Sequence, residues 1–196
     1  MNSKVRQKRN YFDRRSLSWN QKELSRRERE FLRRSIPGEG ILPGETVLDL
    51  GGGSGRLADY LSRRFAVEVL LLDISGRMLR RGRRENCSLI QADGHCLPLP
   101  NRCLNHVLCF CAFPHFDKPE IILREARRVL RPGGNIFILH NQSRRELNQY
   151  HSQKDPEVAA DLLPPLSSFR RWGVEFGLKT IRLEDKKSGF IVHYLK

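Results

Sequence analysis

The sequence contains no apolar run long enough to cross a bilayer. HVLCFCAF at 106–113, among the longest, falls far short of the roughly 20 residues a spanning helix needs. The basic N-terminus has no apolar stretch behind it, so no secretory signal is expected. Cysteine is sparse: five residues, an odd number, none in C-x-x-C spacing. That excludes a disulfide scaffold and leaves no zinc signature. Cys109 and Cys111 read as small buried hydrophobes. No metal is expected, and the compartment is expected to be the reducing cytoplasm. Acid is also in short supply, with 22 Asp and Glu against 36 Lys and Arg and a net charge of +14. Residues 1–34 hold twelve basic and four acidic side chains, and RMLRRGRRE at 77–85 has five arginines and one glutamate. Such a field favours nucleic acid, an acidic membrane surface or a negatively charged small substrate, or it is a well-solvated surface and nothing more. Aromatics are 8% of the chain and barely interleave the basic runs, so the stacking platforms of single-strand binders are missing there.

What is present is a regular alternation, in a chain of 196 residues that fits one domain with a real core. The first ten residues are expected to fray. NQKE at 20–23 has the form of a capping box for a helix to about Arg34, with Leu24, Phe31 and Leu32 as a thin apolar stripe. IPGEGILPGE is a turn-rich connector. TVLDL, VEVLLLD, CSLIQAD, HVLCFCAF and NIFILH then read as strands. SGRLADYLSRRF, SGRMLRRGRR (capped by Ser75) and PEIILREARRVL read as helices. Apolar strands alternating with helices predict an α/β fold with a parallel sheet covered on both faces. Beyond them, SRRE at 143–146 opens a helix towards His151, and Phe169, Trp172 and Phe176 form a stripe ending at Gly177. KTIRLEDK and GFIVHYLK predict an antiparallel pair at the sheet edge.

The chemistry is expected at VLDLGGGSGRLADYL, residues 47–61. In a doubly wound sheet ligands lie beyond the carboxyl ends of the strands, where the loop after the first strand points. Glycine there permits positive φ and lets a ligand lie on bare main chain. Spacing separates two cofactor classes. A dinucleotide loop reads G-x-G-x-x-G, and counted from Gly51 and Gly53 its third glycine would fall on Arg56. The pattern is instead D-x-G-x-G-x-G, from Asp49 through Gly51 and Gly53 to Gly55, with Gly52 inside it. A nucleoside cofactor without a pyrophosphate fits that loop better. An acid such as Asp49 in a buried apolar strand also needs a reason to be there. Asp73 closes the second strand about 20 residues past the loop, where a carboxylate accepts hydrogen bonds from ribose hydroxyls.

These residues resemble the class I S-adenosylmethionine-dependent methyltransferases. Further segments match in order: LLLDIS with Asp73, QADGHCLPLP beside the family's D-x-x-x-L-P-F/L, REARRVLRPGGNIFI beside its E-x-x-R-V-L-K-P-G-G-x-L, and the two terminal strands. The likeness covers about residues 40–196 and is nearest the branch that includes the quinone-biosynthesis methyltransferases. YFDRRSLSWN resembles that branch's N-terminal Y/F-D-x-x-A-x-x-W/Y-D segment. The resemblance implies a Rossmann-like, seven-stranded, mostly parallel sheet with the last strand antiparallel and helices on both faces. It implies a basic helical cap, 1–36, laying Tyr11, Phe12 and Trp19 over the cofactor, and a cofactor-binding domain, 37–196. One position departs: the family's S/T-F-D-x-V is LNHVL here, and Asn105 stands at a place that is normally structural.

By the same resemblance S-adenosyl-L-methionine is the cofactor. Asp49 would orient the loop and the cofactor's ammonium, Gly51, Gly52, Gly53 and Gly55 would carry it, and Asp73 would take the ribose. Asp93, followed by Gly94, would meet the adenine amino group, Ile74 and Met78 would pack on the ring or belong to the core, and carbonyls near Cys109 and Phe110 would hold the methionine portion. His115, beyond the fourth strand, is the candidate catalytic base for an O–H, N–H or S–H proton, or else a hydrogen-bonded loop histidine. His140, Arg144, Asn148 and His151 are candidate substrate residues, or parts of a solvated helix and its flank. The expected activity is methyl transfer to a small-molecule acceptor, polar or anionic. The alternatives are RNA or protein methylation through the basic surface, and cofactor binding without turnover. FPHF at 113–116 replaces the D/N-P-P-Y/F of nucleobase amino-methylating enzymes and argues against that chemistry.

Overall fold

The computed structural model describes residues 3–18, 23–82, 87–154 and 156–196. Its strands are β1 (Thr46–Leu50), β2 (Glu68–Asp73), β3 (Cys87–Gln91), β4 (Leu104–Phe110), β5 (Leu130–His140), β6 (Lys179–Lys186) and β7 (Gly189–Leu195). They form one sheet in the order β3-β2-β1-β4-β5-β7-β6. The first five are mutually parallel, while β7 runs antiparallel to both β5 and β6. The α/β fold with an antiparallel last strand is therefore as the sequence implies. The closing hairpin is inserted rather than appended: β7 is an inner strand and only β6 is the edge.

The helices are α1 (Ser3–Ser18), α2 (Arg26–Ser35), α3 (Arg56–Phe65), α4 (Gly76–Arg81), α5 (Pro119–Val129), α6 (Arg144–Lys154) and α7 (Leu166–Glu175). The apolar strands read as they do because both faces are covered. Leu48 and Leu50 of β1 face a cluster with Ile122, Ala126, Phe169 and Trp172, whereas Val47 faces one with Leu32, Leu57 and Leu61. Pairing Leu50 with Leu72 and Asp49 with Leu108 brings the carboxyl ends of β1, β2 and β4 to one rim of the sheet. Their loops open side by side there.

Two local expectations are corrected. Residues 3–10, expected to fray, are instead the first part of α1. The helix has almost no apolar stripe of its own, so nothing local announces it. It is held from outside, by burial of Val5 and Tyr11 and by ion pairs from Lys4 to Asp117, Lys8 to Asp161 and Arg14 to Glu157. The capping box of α2 is Ser25 with Glu28, not Asn20 with Glu23. Ser25 Oγ accepts from the Glu28 amide at 3.2 Å, and the Glu28 carboxylate accepts from the Ser25 amide at 2.8 Å. Both stretches fit the same four-residue pattern, and Asn20 lies outside the described residues.

Asn105 belongs to the opposite rim. Its Oδ1 accepts from the Thr46 amide at 3.1 Å and its Nδ2 donates to Glu45 at 3.1 Å. The amide thus ties the start of β4 to the start of β1, away from the glycine loop.

Candidate functional site

The turn out of β1 is stitched to the end of β2. The Gly51 and Gly52 amides donate to the Leu72 carbonyl at 2.8 and 3.1 Å, and the Gly53 amide donates to Asp73 Oδ2 at 2.9 Å. Gly51 and Gly53 sit at φ of +71° and +57°, conformations that side chains disfavour. Gly52 is needed for space: a Cβ there would lie 2.2 Å from Leu71 Cδ1 and 2.4 Å from the Asp49 carboxyl. The loop therefore presents bare backbone to the rim of the sheet.

Two carboxyl groups stand beneath it. Asp49 is wholly buried, its Oδ2 accepting from the Ala58 amide at 3.1 Å. Its Oδ1 has no hydrogen-bond partner among the described residues. Burial pushes this carboxyl up to about 7, and the neighbouring Asp73 adds to the rise. Asp73 accepts from the Ser75 amide at 2.8 Å through Oδ1; burial pushes it up to about 6 against the pull of its backbone hydrogen bonds. A buried acid with an unfilled acceptor beside a bare main-chain cradle is suited to a ligand with a cation and hydroxyl donors.

The N-terminal helix reaches this corner. Ser75 Oγ accepts from the Met78 amide, capping α4, and donates to Asp13 Oδ1 of α1 at 2.6 Å. Asp13 is the acid of the YFD motif, so that motif hooks α1 onto the turn after β2.

A cavity of about 1240 Å³ opens above the rim, enough for a nucleoside cofactor and a small second molecule. On the glycine side its lining includes Asp49, Gly51, Gly52, Gly53 and Asp73, then Ile74, Met78, Asp93 and Gly94. Phe110, Tyr11, Phe12, His115, His151 and Asp161 are among the residues that line the rest. The remaining expected site residues lie elsewhere. Gly55 caps α3, with φ of +75°, and Cys109 is buried in the core. His140 is buried behind the wall, both ring nitrogens without a partner among the described residues, and burial pushes it down to about 3. Arg144 donates from Nε to the Leu163 carbonyl at 2.8 Å, and Asn148 Oδ1 accepts from the Leu163 amide at 2.8 Å. These two fix the segment after α6 that forms the far wall. Trp19 lies outside the described residues.

That wall holds residues the sequence did not point to. Asp161 Oδ2 is 2.6 Å from His115 Nδ1, Lys8 contacts the same carboxylate, and the Asp161 carbonyl is 2.6 Å from His151 Nδ1. At the rim Arg56 pairs with Glu28 at 3.0 Å. Asp161 sits in DLLPP, a loop by composition, and no spacing connects position 161 to 115 or 8.

Fold and glycine loop are similar to those of class I S-adenosylmethionine-dependent methyltransferases, whose cofactor is S-adenosyl-L-methionine. Residues 48–138 match the family model described as a methyltransferase domain, and that stretch belongs to the family. The chain is 34% identical over 115 residues to the ubiquinone/menaquinone biosynthesis C-methyltransferase of Photorhabdus laumondii, a match covering 54% of this chain and 46% of that protein. It thus spans about half the length of the curated relatives it matches. Among solved structures, a chain from the complex of the Haloferax volcanii Trm112 methyltransferase activator with a methyltransferase superposes with a TM-score of 0.71 at 17% identity, covering 100% of this chain and 98% of that one. A SAM-dependent methyltransferase from Aquifex aeolicus gives 0.63 at 20% identity, covering 85% and 96%. At these identities the structural likeness speaks for the fold.

Proposed function

We propose that this protein transfers the methyl group of S-adenosyl-L-methionine to a small-molecule acceptor bound in the same cavity. The observation that carries the reading is the buried Asp49 with its unfilled oxygen beneath the glycine cradle. An ammonium group is the partner that such an oxygen lacks. Asp73 would take the ribose, Asp93 the adenine amino group, Ile74 and Met78 the ring faces, and the carbonyl at Phe110 the methionine portion. The cofactor, once bound, supplies an electrophilic methyl on a sulfonium. What the chain adds is alignment and exclusion of water, with Tyr11 and Phe12 of α1 laid over the cavity. No helix among the described residues is long and apolar enough to cross a membrane, and we place the reaction in the cytoplasm.

A second reading, methylation of RNA, has one feature in its favour. Arg26, Arg29, Arg33 and Arg64, with Glu30 and Tyr60, line an open recess of about 360 Å³ between α2 and α3, a face whose excess of cations suits phosphates. One experiment tests both readings. Radiolabelled methyl donor is incubated with the protein and fractionated lysate, with and without nuclease, beside calorimetry with S-adenosylhomocysteine. Label in the small-molecule fraction, insensitive to nuclease, is expected. Nuclease-sensitive label would shift the assignment to RNA. No heat with S-adenosylhomocysteine, together with tight binding of a dinucleotide, would overturn both.

A further inference from the structure

The cavity wall facing the glycine loop carries a charged cluster that cofactor binding does not use. His115 ends the short 3-10 turn after β4, Phe113–His115. Its Nδ1 is 2.6 Å from Asp161 Oδ2. Lys8 of α1 touches both oxygens of the same carboxylate, at 2.6 Å from Oδ2. Burial raises the pKa of Asp161, but His115 and Lys8 outweigh it and hold the group below the usual carboxylate range. It is therefore an ionised acceptor. Because a carboxylate only accepts, the shared hydrogen belongs to His115 Nδ1 and the lone pair sits on Nε2. Nε2 makes no hydrogen bond among the described residues, and the ring lines the cavity with 19% of the side chain exposed. Phe12 closes on the ring edge-on at 5.0 Å.

We propose that His115 is the general base of the transfer, taking the acceptor's proton at Nε2, that Asp161 positions it, and that Lys8, docking on Asp161 as α1 covers the cavity, tunes it. This rests on the methyl transfer proposed above and narrows its acceptor to one that arrives with its proton on oxygen, nitrogen or sulfur. The step balances. The acceptor atom bonds to the methyl carbon as the carbon–sulfur bond breaks, and sulfur keeps the electron pair. The acceptor's proton goes to Nε2, so a sulfonium is lost and an imidazolium gained. Water at the cavity mouth then removes that proton.

The charges around the ring come from four elements. Burial lowers the pKa of His115 most. Asp161, on the segment after α6, raises it; His151 of α6 and Lys8 of α1 lower it again. His140 of β5, behind the ring, is itself neutral near pH 7. His115 is therefore held down, chiefly by burial, and is ready to accept a proton at neutral pH; a seated Lys8 adds to this. A histidine with Asp161 alone beside it would hold its own proton more tightly and serve less well as a base. Docking of α1 and tuning of the base are thus linked, because one carboxylate is shared by Lys8 and the ring that reacts.

Two readouts, neither of them turnover, test this on the full chain with S-adenosylhomocysteine bound. Calorimetry of that ligand first establishes that each variant is folded and that the cofactor reading holds. Nuclear magnetic resonance titration of the His115 ring should then give opposite signs: Lys8→Met moves its pKa up, Asp161→Asn moves it down. A merely structural tether would leave it in place in both. In parallel, 4-nitrophenol, whose phenolate absorbs visible light, serves as an acceptor probe at a pH below its own titration. The wild-type complex should raise the phenolate fraction severalfold over solution, and His115→Phe should abolish that rise. S-adenosylhomocysteine binding with no rise, or with both pKa shifts of one sign or absent, would overturn the base assignment and leave the cofactor reading intact. No binding of S-adenosylhomocysteine would sink the cofactor reading instead.

Discussion

The two halves of the cavity are built by different means. The glycine side is local. Residues 49–58 and 71–78 supply nearly every contact, mostly through main-chain amides donating to Leu72, Asp49 and Asp73. The histidine side is assembled from distant pieces, with Lys8 meeting Asp161 and Arg14 meeting Glu157 across about three quarters of the chain. Main-chain geometry leaves little room to relax, so the first half is preorganised. Side-chain ion pairs form only once the elements have packed, so the second half depends on the docking of α1 and of the segment after α6. A binding site for an invariant cofactor needs the first kind of construction, and a chamber that must admit and enclose an acceptor needs the second.

The contrast is sharpest at Asp49. Asp49→Asn keeps the shape and the bond from the Ala58 amide but removes the carboxylate that an ammonium requires. Losing one partner of a buried charge pair costs about 2–5 kcal/mol, so cofactor affinity measured by calorimetry should fall at least thirtyfold, roughly the lower end of that range. Stability of the ligand-free protein should change by no more than about 1 kcal/mol, because the wild-type oxygen is already without a partner. A variant that binds normally would mean that Asp49 is only a loop anchor. Asp73→Ala should come next, weakening the cofactor about tenfold or more, since it removes both a hydroxyl acceptor and the tie to Gly53. An unchanged dissociation constant would count against placing the ribose there.

How much could be read from the sequence follows the same division. Asp49, Gly51 to Gly53, Asp73 and the Ser75 cap were legible because each acts on neighbours at a short, fixed spacing, whereas Gly55 caps α3 outside the cavity. The strands were legible because burial on two faces leaves an unbroken apolar run. Helix α1 was not. Val5 and Tyr11 are its buried apolar anchors, and the rest of SKVRQKRNYFDRRSLS gives no helical stripe. It is held by partners far along the chain, from Ser75 to Asp117, Glu157 and Asp161. Asp161 was hidden for the same reason, as an acid in a proline-rich loop whose meaning appears only when His115 and Lys8 arrive beside it. The role of Asn105 was legible only as a departure. Its structural use, linking Glu45 and Thr46, needed the register of β1 against β4.

The preorganised half should also respond to pH in a defined direction. In the ligand-free protein burial pushes the Asp49 carboxyl up to about 7 and that of Asp73 up to about 6. The cofactor's ammonium favours the ionised Asp49, so affinity should fall as pH drops below 7, by up to about tenfold per pH unit. The fall should steepen below 6 as Asp73 takes its proton. Stability of the ligand-free protein should move the other way. Groups with a raised folded-state pKa bind protons more readily in the native state, so they favour folding increasingly as pH falls from 7 towards 4. Asp49→Asn should flatten the upper part of the affinity profile. A flat profile in the wild type would remove Asp49 from the cofactor's ammonium.

The smallest effect belongs to the assembled half. Arg14 and Glu157 form an ion pair whose side chains are 58% and 46% exposed. Water and salt screen such a pair, and two long side chains lose freedom to make it, so it contributes about 0–1 kcal/mol. Arg14→Ala should therefore shift the thermal midpoint by little and leave S-adenosylhomocysteine affinity unchanged within a factor of about two, given the small size of such pairs. Lys8, with 20% of its side chain exposed against a carboxylate at 9%, sits where screening is weaker. If Arg14→Ala instead opened the cavity and weakened the cofactor as much as Asp73→Ala does, α1 would be held by its outer rim rather than by Asp13, Tyr11 and Lys8. The division between a rigid cofactor half and a closable acceptor half would then have to be redrawn with α1 on the rigid side.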